Sequence, residues 1–388
     1  MKKLIALLLS LCTMLTVVGC SNKADTADNG AKDTLVVAQG ADPTSLDPYG
    51  TTDSPAIRVA HCVFETLVTR DDEGNIAPML AESWDIEDDC TYIFHLRKGV
   101  KFHNGEELKA SDVAFSFSKI AESPHASSIR ATIDFENSKA LDEYTFEMKL
   151  TEPFGPILNH LSHAVMAIVN EKAYAAAGDQ VNEKPCGTGP YKFVAWYPAD
   201  RIEMVAFDDY WGEKAAITNL TWRTIPEIAS RSIEVEAGTV DVAIDIQASE
   251  LARLEKVEKV TTFKEERSSI NFICLNNLIA PFDNVKVRQA INMAIDVDAI
   301  CNVVYQGTGA VAQAPMSKSV WAYNDNLPPH ERNVEKAKEL LAEAGYPDGF
   351  TCTMTCDQNQ QRLDTAEMVQ MQLAEIGITM KIASIRQP

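Results

Sequence analysis

The C-terminal part of the chain carries the pattern that most restricts the possible folds. Apolar residues alternate with polar ones over 350–354 and again over 378–382, as they do in β-strands. Between them, 364–376 has the apolar spacing of a helix that opens with a capping-box pattern and stops at Gly377. A strand, a helix and a second strand in this order form a right-handed crossover in a parallel sheet. The sequence therefore predicts an α/β fold.

Further strand and helix patterns precede this unit. Strands are predicted over 35–38, 92–96, 144–150, 191–196, 201–206 and 220–225. Helices are predicted over 55–68, from Ser111 or Asp112, over 226–237, and from Asn333 to Gly345. The segment 184–191 is rich in Gly and Pro, so we expect Gly187, Gly189 and Pro190 to serve a chain crossing rather than a ligand.

The first residues have the pattern of a targeting segment. A basic head, Met1-Lys2-Lys3, precedes an apolar run over 4–18 that is shorter than the about 20 residues of a membrane-spanning helix. The run ends in Gly19-Cys20, which resembles the bacterial lipoprotein box and implies cleavage of residues 1–19 and a lipid on Cys20. An ordinary secretory signal with an incidental Cys20 is the alternative. If the lipoprotein interpretation holds, residues 20–32 are the lipidated cysteine and a flexible tether.

Charge and cysteine usage exclude several classes of function. The 388 residues include 35 basic and 56 acidic side chains, a net charge of −21, which argues against a nucleic-acid partner. The cysteines beyond Cys20 are scattered, lack a CxxC pair, and are expected to be buried free thiols. His160 and His163 share a helix face without a clear third ligand, so we expect no metal site and no cofactor.

Four groups of motifs resemble one protein family. They are Leu80-Ala81-Glu82-Ser83-Trp84 followed by residues 92–105 (YIFHLRKGVKFHNG) and Ala110-Ser111-Asp112-Val113-Ala114-Phe115-Ser116, then Gly187-Thr188-Gly189-Pro190-Tyr191, then Asp209-Tyr210-Trp211-Gly212, and Val287-Arg288-Gln289-Ala290-Ile291-Asn292 with Ala294-Ile295-Asp296. Their order and spacing resemble the extracytoplasmic solute-binding proteins of peptide-type ABC importers, the oligopeptide/dipeptide-binding family, also called solute-binding family 5. The resemblance runs from about residue 34 to the end of the chain.

The resemblance implies an α/β fold of the two-lobed periplasmic-binding type (class II-like) with an extra subdomain. Lobe I would combine 33–70 with 187–275, the extra subdomain would span 71–186, and lobe III would span 276–388. Members of the family usually continue well beyond this length. We therefore expect the C-terminal part to be missing and lobe III to be incomplete.

The resemblance also suggests where a ligand would bind. Clefts of α/β proteins form at the ends of strands, and family analogy puts the loop 47–54 at the cleft edge. The candidate ligand-binding residues are Tyr49, Thr51, Thr52, Asp53, Ser54, Trp321, Tyr323, Asp357, Gln358 and Asn359. A plain surface turn is the alternative for the 47–54 loop, and ordinary packing is the alternative for Trp321 and Tyr323.

The function implied is solute capture without bond chemistry. No GxSxG, HExxH or P-loop pattern occurs, so we expect no enzyme. The protein would be a lipid-anchored, monomeric subunit of an ABC importer, on the outer face of the cell membrane or in the periplasmic space. It would capture peptides in an interlobe cleft and deliver them to permease and ATPase subunits. The alternatives are another solute (a nickel chelate or an oligosaccharide) and a signalling or adhesion lipoprotein.

Overall fold

The computed structural model describes residues 32–265, 268–320, 323–357 and 359–385. They form two compact units. The first consists of the residues up to Val36 together with Asp42–Arg223, and the second of Val37–Ala41 together with Thr224–Pro388. These units do not test the three-part lobe division, which stays a prediction. Among the described residues, no helix is long and apolar enough to cross a membrane.

Antiparallel strand pairings dominate the first unit. The strands are β1 (Thr34–Gln39), whose last residues belong to the second unit, β2 (Val68–Arg70), β3 (Ile76–Pro78), β4 (Ala81–Asp88), β5 (Thr91–Leu96), β6 (Ile133–Ala140), β7 (Thr145–Leu150), β8 (Tyr191–Tyr197), β9 (Arg201–Ala206) and β10 (Asn219–Thr224). One sheet has the order β4-β5-β7-β6, a second is the β2-β3 hairpin, and a third contains the antiparallel series β8-β9-β10. The helices are α1 (Ser54–Val63), α2 (Ala110–Glu122), α3 (Ser127–Arg130), α4 (Ile157–Leu161) and α5 (Glu171–Ala177).

The core of the first unit lies between α2 and the four-stranded sheet. Phe94, Phe146 and Met148 alternate along β5 and β7 and are fully buried, as the sequence pattern predicts. Phe117 of α2 meets Phe146 edge to face, with their ring centroids 4.7 Å apart. Such aromatic pairs add about 0.5–1.5 kcal/mol beyond the area that they bury.

The second unit has two short parallel pairings. Residues 37–38 of β1 pair with β11 (Val242–Ala243), and β12 (Thr351–Cys356) pairs with β13 (Thr379–Ser384). The helices are α6 (Ile228–Ala237), α7 (Ala248–Leu254), α8 (Val285–Ala294), α9 (Val297–Val303), α10 (Val334–Glu343) and α11 (Gln360–Ala374). α8, α10 and α11 bury one apolar cluster with β13. The predicted βαβ unit is therefore present and parallel.

Two helix boundaries differ from prediction by four or more residues. α1 ends at Val63 rather than at residue 68, because the chain turns there and Glu65 forms a β-bridge with Ile168. α11 begins at Gln360 rather than at residue 364, because Asn359 caps it by accepting a hydrogen bond from the Arg362 amide. The seven described cysteines are also less buried than expected, since six are half-buried and Cys274 is exposed.

The end of α1 lies directly against the Gly-rich segment. A Cβ atom at Gly187 would be 2.0 Å from the Val63 carbonyl oxygen, and one at Gly189 would be 2.6 Å from that of Cys62. Real Cβ atoms do not approach so closely, so only glycine fits at either position. The amide of Gly189 donates to the Val63 oxygen at 2.9 Å. The chain crossing predicted for this segment is confirmed.

A buried carboxylate fixes this crossing. Glu65 is 2% exposed, and its oxygens accept hydrogen bonds from Thr188 Oγ1 (2.7 Å), Tyr210 Oη (2.8 Å) and Trp211 Nε1 (2.8 Å). Burial raises the pKa of Glu65, and these hydrogen bonds, with the nearby charge of Arg97, oppose the rise. The sequence signals for this cluster are the charged residue inside the run 63–68 and the two motifs 187–191 and 209–212, which contain its partners.

His103 joins the same crossing from the β-bridged turn after β5. Its amide donates to the Gly187 oxygen at 2.8 Å, and its Nε2 lies 2.9 Å from the Gly189 oxygen. Burial lowers the pKa of His103 from 6.5 to about 4, although the hydrogen bond to Gly189 opposes this. The imidazole is therefore neutral at pH 7, and its Nε2 donates a hydrogen bond to that oxygen.

We predict that His103 makes the protein less stable in acid. Above pH 6.5 the side chain is neutral in both states, but between pH 6.5 and about 4 only the unfolded chain gains the proton. This costs up to about 3 kcal/mol of unfolding free energy. Replacement His103→Gln keeps a donor and should reduce the fall in the urea midpoint between pH 7 and pH 5. The exposed His125→Gln is the control, and an unchanged fall in His103→Gln would contradict the assignment.

We predict that Glu65→Ala strongly destabilises the first unit. The change leaves three donors without their acceptor, at about 1–3 kcal/mol for each buried one. Glu65→Gln should cost less, because one oxygen still accepts. The urea midpoint at pH 7 is the measurement. The exposed Glu73→Ala is the control, and its free energy of unfolding should lie within about 0.5 kcal/mol of the wild-type value. Equal midpoints for Glu65→Ala and Glu73→Ala would refute the role of this cluster.

Candidate functional site

The candidate loop 47–54 in the first unit is a tightly bonded structure. Asp53 caps α1 by accepting from the Ala56 amide at 2.8 Å. Its other oxygen accepts from the hydroxyls of Thr44 and Thr51, the latter at 2.6 Å, and from the Thr44 amide at 3.2 Å. Burial opposes the charged form of Asp53, but these hydrogen bonds outweigh it and lower its pKa. The carboxylate is therefore ionised and fully engaged inside the loop.

Tyr49 anchors the loop to the body of the unit. The side chain is 5% exposed, and its hydroxyl donates to the Ala167 oxygen at 2.7 Å. Burial raises the pKa of Tyr49 far above its ordinary value, so the phenol stays protonated. The Tyr49 carbonyl accepts from Ser123 Oγ at 2.7 Å. Direct ligand contact by Tyr49 stays a prediction.

Asn182 holds the start of the loop. Its Oδ1 accepts from Ser45 Oγ at 2.8 Å and from the amides of Leu46 and Asp47 at 2.7 and 3.1 Å. Sequence analysis missed Thr44 and Asn182, because Asn182 acts across more than 130 residues of chain. With the loop held in this way, the side chains of Thr52 and Ser54 are its exposed polar groups.

The second candidate segment lies between β12 and α11 in the second unit. Asp357 forms an ion pair with Arg362, in which the Asp357 side chain is 16% exposed and that of Arg362 is 53% exposed. The Asn359 side chain is engaged as the cap of α11, and its amide donates to Asp357 at 3.1 Å. A half-exposed guanidinium therefore stands at the carboxyl end of a parallel strand. Sequence analysis missed Arg362 because the predicted helix began at residue 364, two residues after this side chain.

The remaining predicted site residues fall into two groups. Tyr323 is half-buried in the second unit, and its amide donates to the Val320 oxygen at 3.1 Å. Cys20, Trp321 and Gln358 lie outside the described residues. The structure thus brings Tyr49, Thr51, Thr52, Asp53 and Ser54 together in one unit, and Asp357 and Asn359 together in the other. Ligand binding by all of them stays a prediction.

Metal binding has no support within the described part of the chain. His160 and His163 belong to no group of three or more His, Cys, Asp or Glu side chains that could hold an ion there. The His163 Nδ1 accepts from the Val165 amide at 3.2 Å, which gives this side chain a structural role.

Known proteins resemble this chain over most of its length. The profile of the bacterial extracellular solute-binding proteins, family 5 (middle part), matches residues 75–388. The glutathione-binding protein GsiB of Pectobacterium atrosepticum is 33% identical over 362 residues, which cover 92% of this chain and 70% of that protein. Heme-binding protein A of Haemophilus influenzae is 30% identical over 405 residues, covering 96% of this chain and 74% of that protein.

A solved structure shows the same fold. It is the ABC transporter-associated periplasmic binding protein DppA of Helicobacter pylori in complex with the peptide STSA. The two chains are 34% identical with a TM-score of 0.81, over 91% of this chain and 74% of that one. The α/β fold class of the two-lobed periplasmic-binding type is thereby confirmed, and so is the expectation of a binding protein rather than an enzyme. The chain belongs to the bacterial extracellular solute-binding proteins of family 5.

Proposed function

We propose that this protein is the receptor subunit of an ABC importer and that its solute is a small peptide. The observation that carries the proposal is the 34% identity to a binding protein solved with the peptide STSA. A 33% identical relative is named for glutathione, which is itself a small peptide. Both ligands have amide groups and charged ends. A protein can bind these groups without contacting the side chains of the ligand.

The two candidate segments supply groups that suit such a ligand. Arg362 presents a half-exposed guanidinium, which can bind a carboxylate through two parallel hydrogen bonds. The exposed hydroxyls of Thr52 and Ser54 can donate to or accept from peptide amides. Asp53 is already engaged by four donors, so we assign it to holding the loop rather than to the ligand amine.

The remainder of the proposal concerns location and partners. A lipid on Cys20 would hold the protein at the outer face of the membrane, with 20–32 as the tether. From there a monomer would pass its solute to the permease and ATPase subunits. Heme is the second candidate solute, because a 30% identical relative is named for it.

Ligand-dependent stabilisation tests the proposed solute. The purified full chain is heated with a tetrapeptide mixture, with glutathione or with heme, and the melting temperature is recorded. We expect a peptide or glutathione to raise it, since a ligand at 100 times its Kd adds about 2.7 kcal/mol. A rise with heme alone would replace peptide by heme as the solute. No rise with any of the three would refute the proposed function.

We predict that Arg362→Gln weakens peptide binding tenfold or more. The carboxylate of the bound peptide would lose the guanidinium that forms charge-assisted hydrogen bonds with it. The matched control is Arg332→Gln, which removes another partly exposed guanidinium of the second unit, paired with Glu375. Isothermal titration with the stabilising peptide measures both. Equal affinities of the two variants would show that Arg362 does not bind the carboxylate.

We predict that Cys20→Ser abolishes lipidation. Cells expressing the full chain are labelled with a radioactive fatty acid and separated into membrane and soluble fractions. The wild type should carry label in the membrane fraction, and Cys20→Ser should carry none. Cys12→Ser, within the apolar run 4–18, is the control and should keep the label. Label on Cys20→Ser, or an unlabelled wild type, would refute the lipid anchor.

A further inference from the structure

His163 caps a short turn of the first unit with its side chain. Its Nδ1 accepts a hydrogen bond from the Val165 amide at 3.2 Å, at the start of the 3-10 turn Ala164–Met166. Because an amide donates, Nδ1 carries the lone pair and the proton of the neutral ring lies on Nε2. Asparagine and serine accept as caps at any pH near neutrality. A histidine accepts only while it is neutral, since both nitrogens of an imidazolium are donors.

The charged groups that act on His163 belong to three neighbouring elements. They are His61 in the last turn of α1, His160 in α4 and Arg70 at the end of β2. Loss of surrounding water is the largest cause that lowers the pKa of His163 from 6.5, and these three groups lower it further. The ring is therefore neutral at pH 7, and the cap is intact there.

The same elements surround a cavity of about 40 Å³, which His61, Thr69 and Ser162 line. Glu65 is an acidic residue of this lining, but its oxygens are engaged by the three donors of the crossing. Burial also lowers the pKa of His61 and of His160. Acid thus places further positive charges beside the cap.

The capped turn holds the anchor of the candidate ligand loop. Directly after the turn, the Ala167 carbonyl oxygen accepts from the Tyr49 hydroxyl at 2.7 Å. The Ala167 amide is itself bound within the turn, to the Ala164 oxygen at 3.1 Å. The place of this carbonyl therefore depends on the turn. Tyr49 keeps its proton because its pKa is raised far above its ordinary value, so acid reaches this bond only through the turn.

We infer that His163 is a proton-sensitive cap, whose protonation in mild acid releases the Val165 amide, loosens the turn 164–166 and weakens the anchor of the loop 47–54 at Tyr49. Two donors then face each other, the imidazolium Nδ1–H and the Val165 N–H, and the hydrogen bond is lost. Local opening needs less free energy than global unfolding, so a short turn can open while the unit stays folded. The consequence for solute affinity, which should fall in acid, rests on the proposed function.

The variant His163→Asn separates the cap from its titration, because asparagine accepts at the N-cap without taking up a proton. Protection factors for amide hydrogen exchange, corrected for the intrinsic effect of pH, are measured on the full chain at pH 7.5 and pH 5. In the wild type we expect the protection of Val165 to fall about fivefold or more in acid, as for one lost hydrogen bond. The Gly50 amide, bound to the Asp47 oxygen at 3.0 Å, should lose about twofold or more. Neither amide should lose protection in His163→Asn beyond the loss seen in α2.

Two controls separate this local effect from a general loss of stability in acid. The amides of α2 report opening of the whole unit, including the effect predicted for His103, and they should respond equally in wild type and variant. His125→Asn replaces another exposed histidine and should behave like the wild type. The ¹⁵N chemical shift of His163 Nδ1 should be that of an unprotonated nitrogen at pH 7.5 and should move toward that of a protonated one at pH 5.

The outcomes separate the cap, the loop and the affinity. Unchanged protection of Val165 in the wild type, or an equal loss in His163→Asn, would overturn the proton-sensitive cap. A loss at Val165 without one at Gly50 would overturn the coupling to the loop.

The affinity is tested with the stabilising tetrapeptide at the same two pH values. Between pH 7.5 and pH 5, the Kd of the wild type should rise about threefold more than that of His163→Asn. An equal rise would overturn the effect on affinity. If the wild type binds neither a tetrapeptide nor glutathione, the proposed function fails and the effect on affinity with it, while the exchange data still decide the cap.

Discussion

The crossing of the Gly187–Gly189 segment against the end of α1 is the constraint on which the first unit depends. The two backbones approach so closely that side chains at either glycine would collide with carbonyl oxygens of Cys62 and Val63. The carboxylate of Glu65 then binds Thr188 in the same segment, and Tyr210 and Trp211 beyond it. Sterics therefore dictate glycine at this contact, and a buried network of hydrogen bonds fixes its register.

The crossing also positions the candidate ligand loop, because α1 connects the two. One end of this ten-residue helix is held at the crossing, and the other is capped by Asp53. Asp53 in turn holds Thr44 and Thr51, and Asn182 holds the start of the loop. A rigid loop that exposes only a few hydroxyl groups suits a binding protein, since preorganisation reduces the ordering cost of binding.

Local patterns in the sequence predicted most of the strands and the parallel unit that ends the chain. Alternating residues such as Phe94 and Phe146 are buried, and Asn333 caps its helix as expected. The two larger errors have different causes. α1 ends early because of contacts that Glu65 makes with residues more than 100 positions away. α11 starts early because Asn359 is the cap, a choice among several polar residues that spacing alone did not resolve.

The candidate site was predictable only in outline. Sequence and resemblance indicated the loop 47–54 and the turn near 357. They did not indicate which side chains there form hydrogen bonds within the protein. Asp53 and Asn359 serve as helix caps, and Tyr49 is an anchor, whereas Thr52, Ser54 and Arg362 remain exposed to solvent. These distinctions depend on partners such as Thr44 and Asn182, which no local pattern connects to the loop.

The most direct test of this account is amide hydrogen exchange of the full chain with and without a saturating tetrapeptide. A receptor that binds its peptide at a candidate segment should show slower exchange there, at 44–54 in the first unit or at 357–363 in the second, when the peptide is present. Protection absent from both segments, with binding nevertheless detected, would contradict the proposed site.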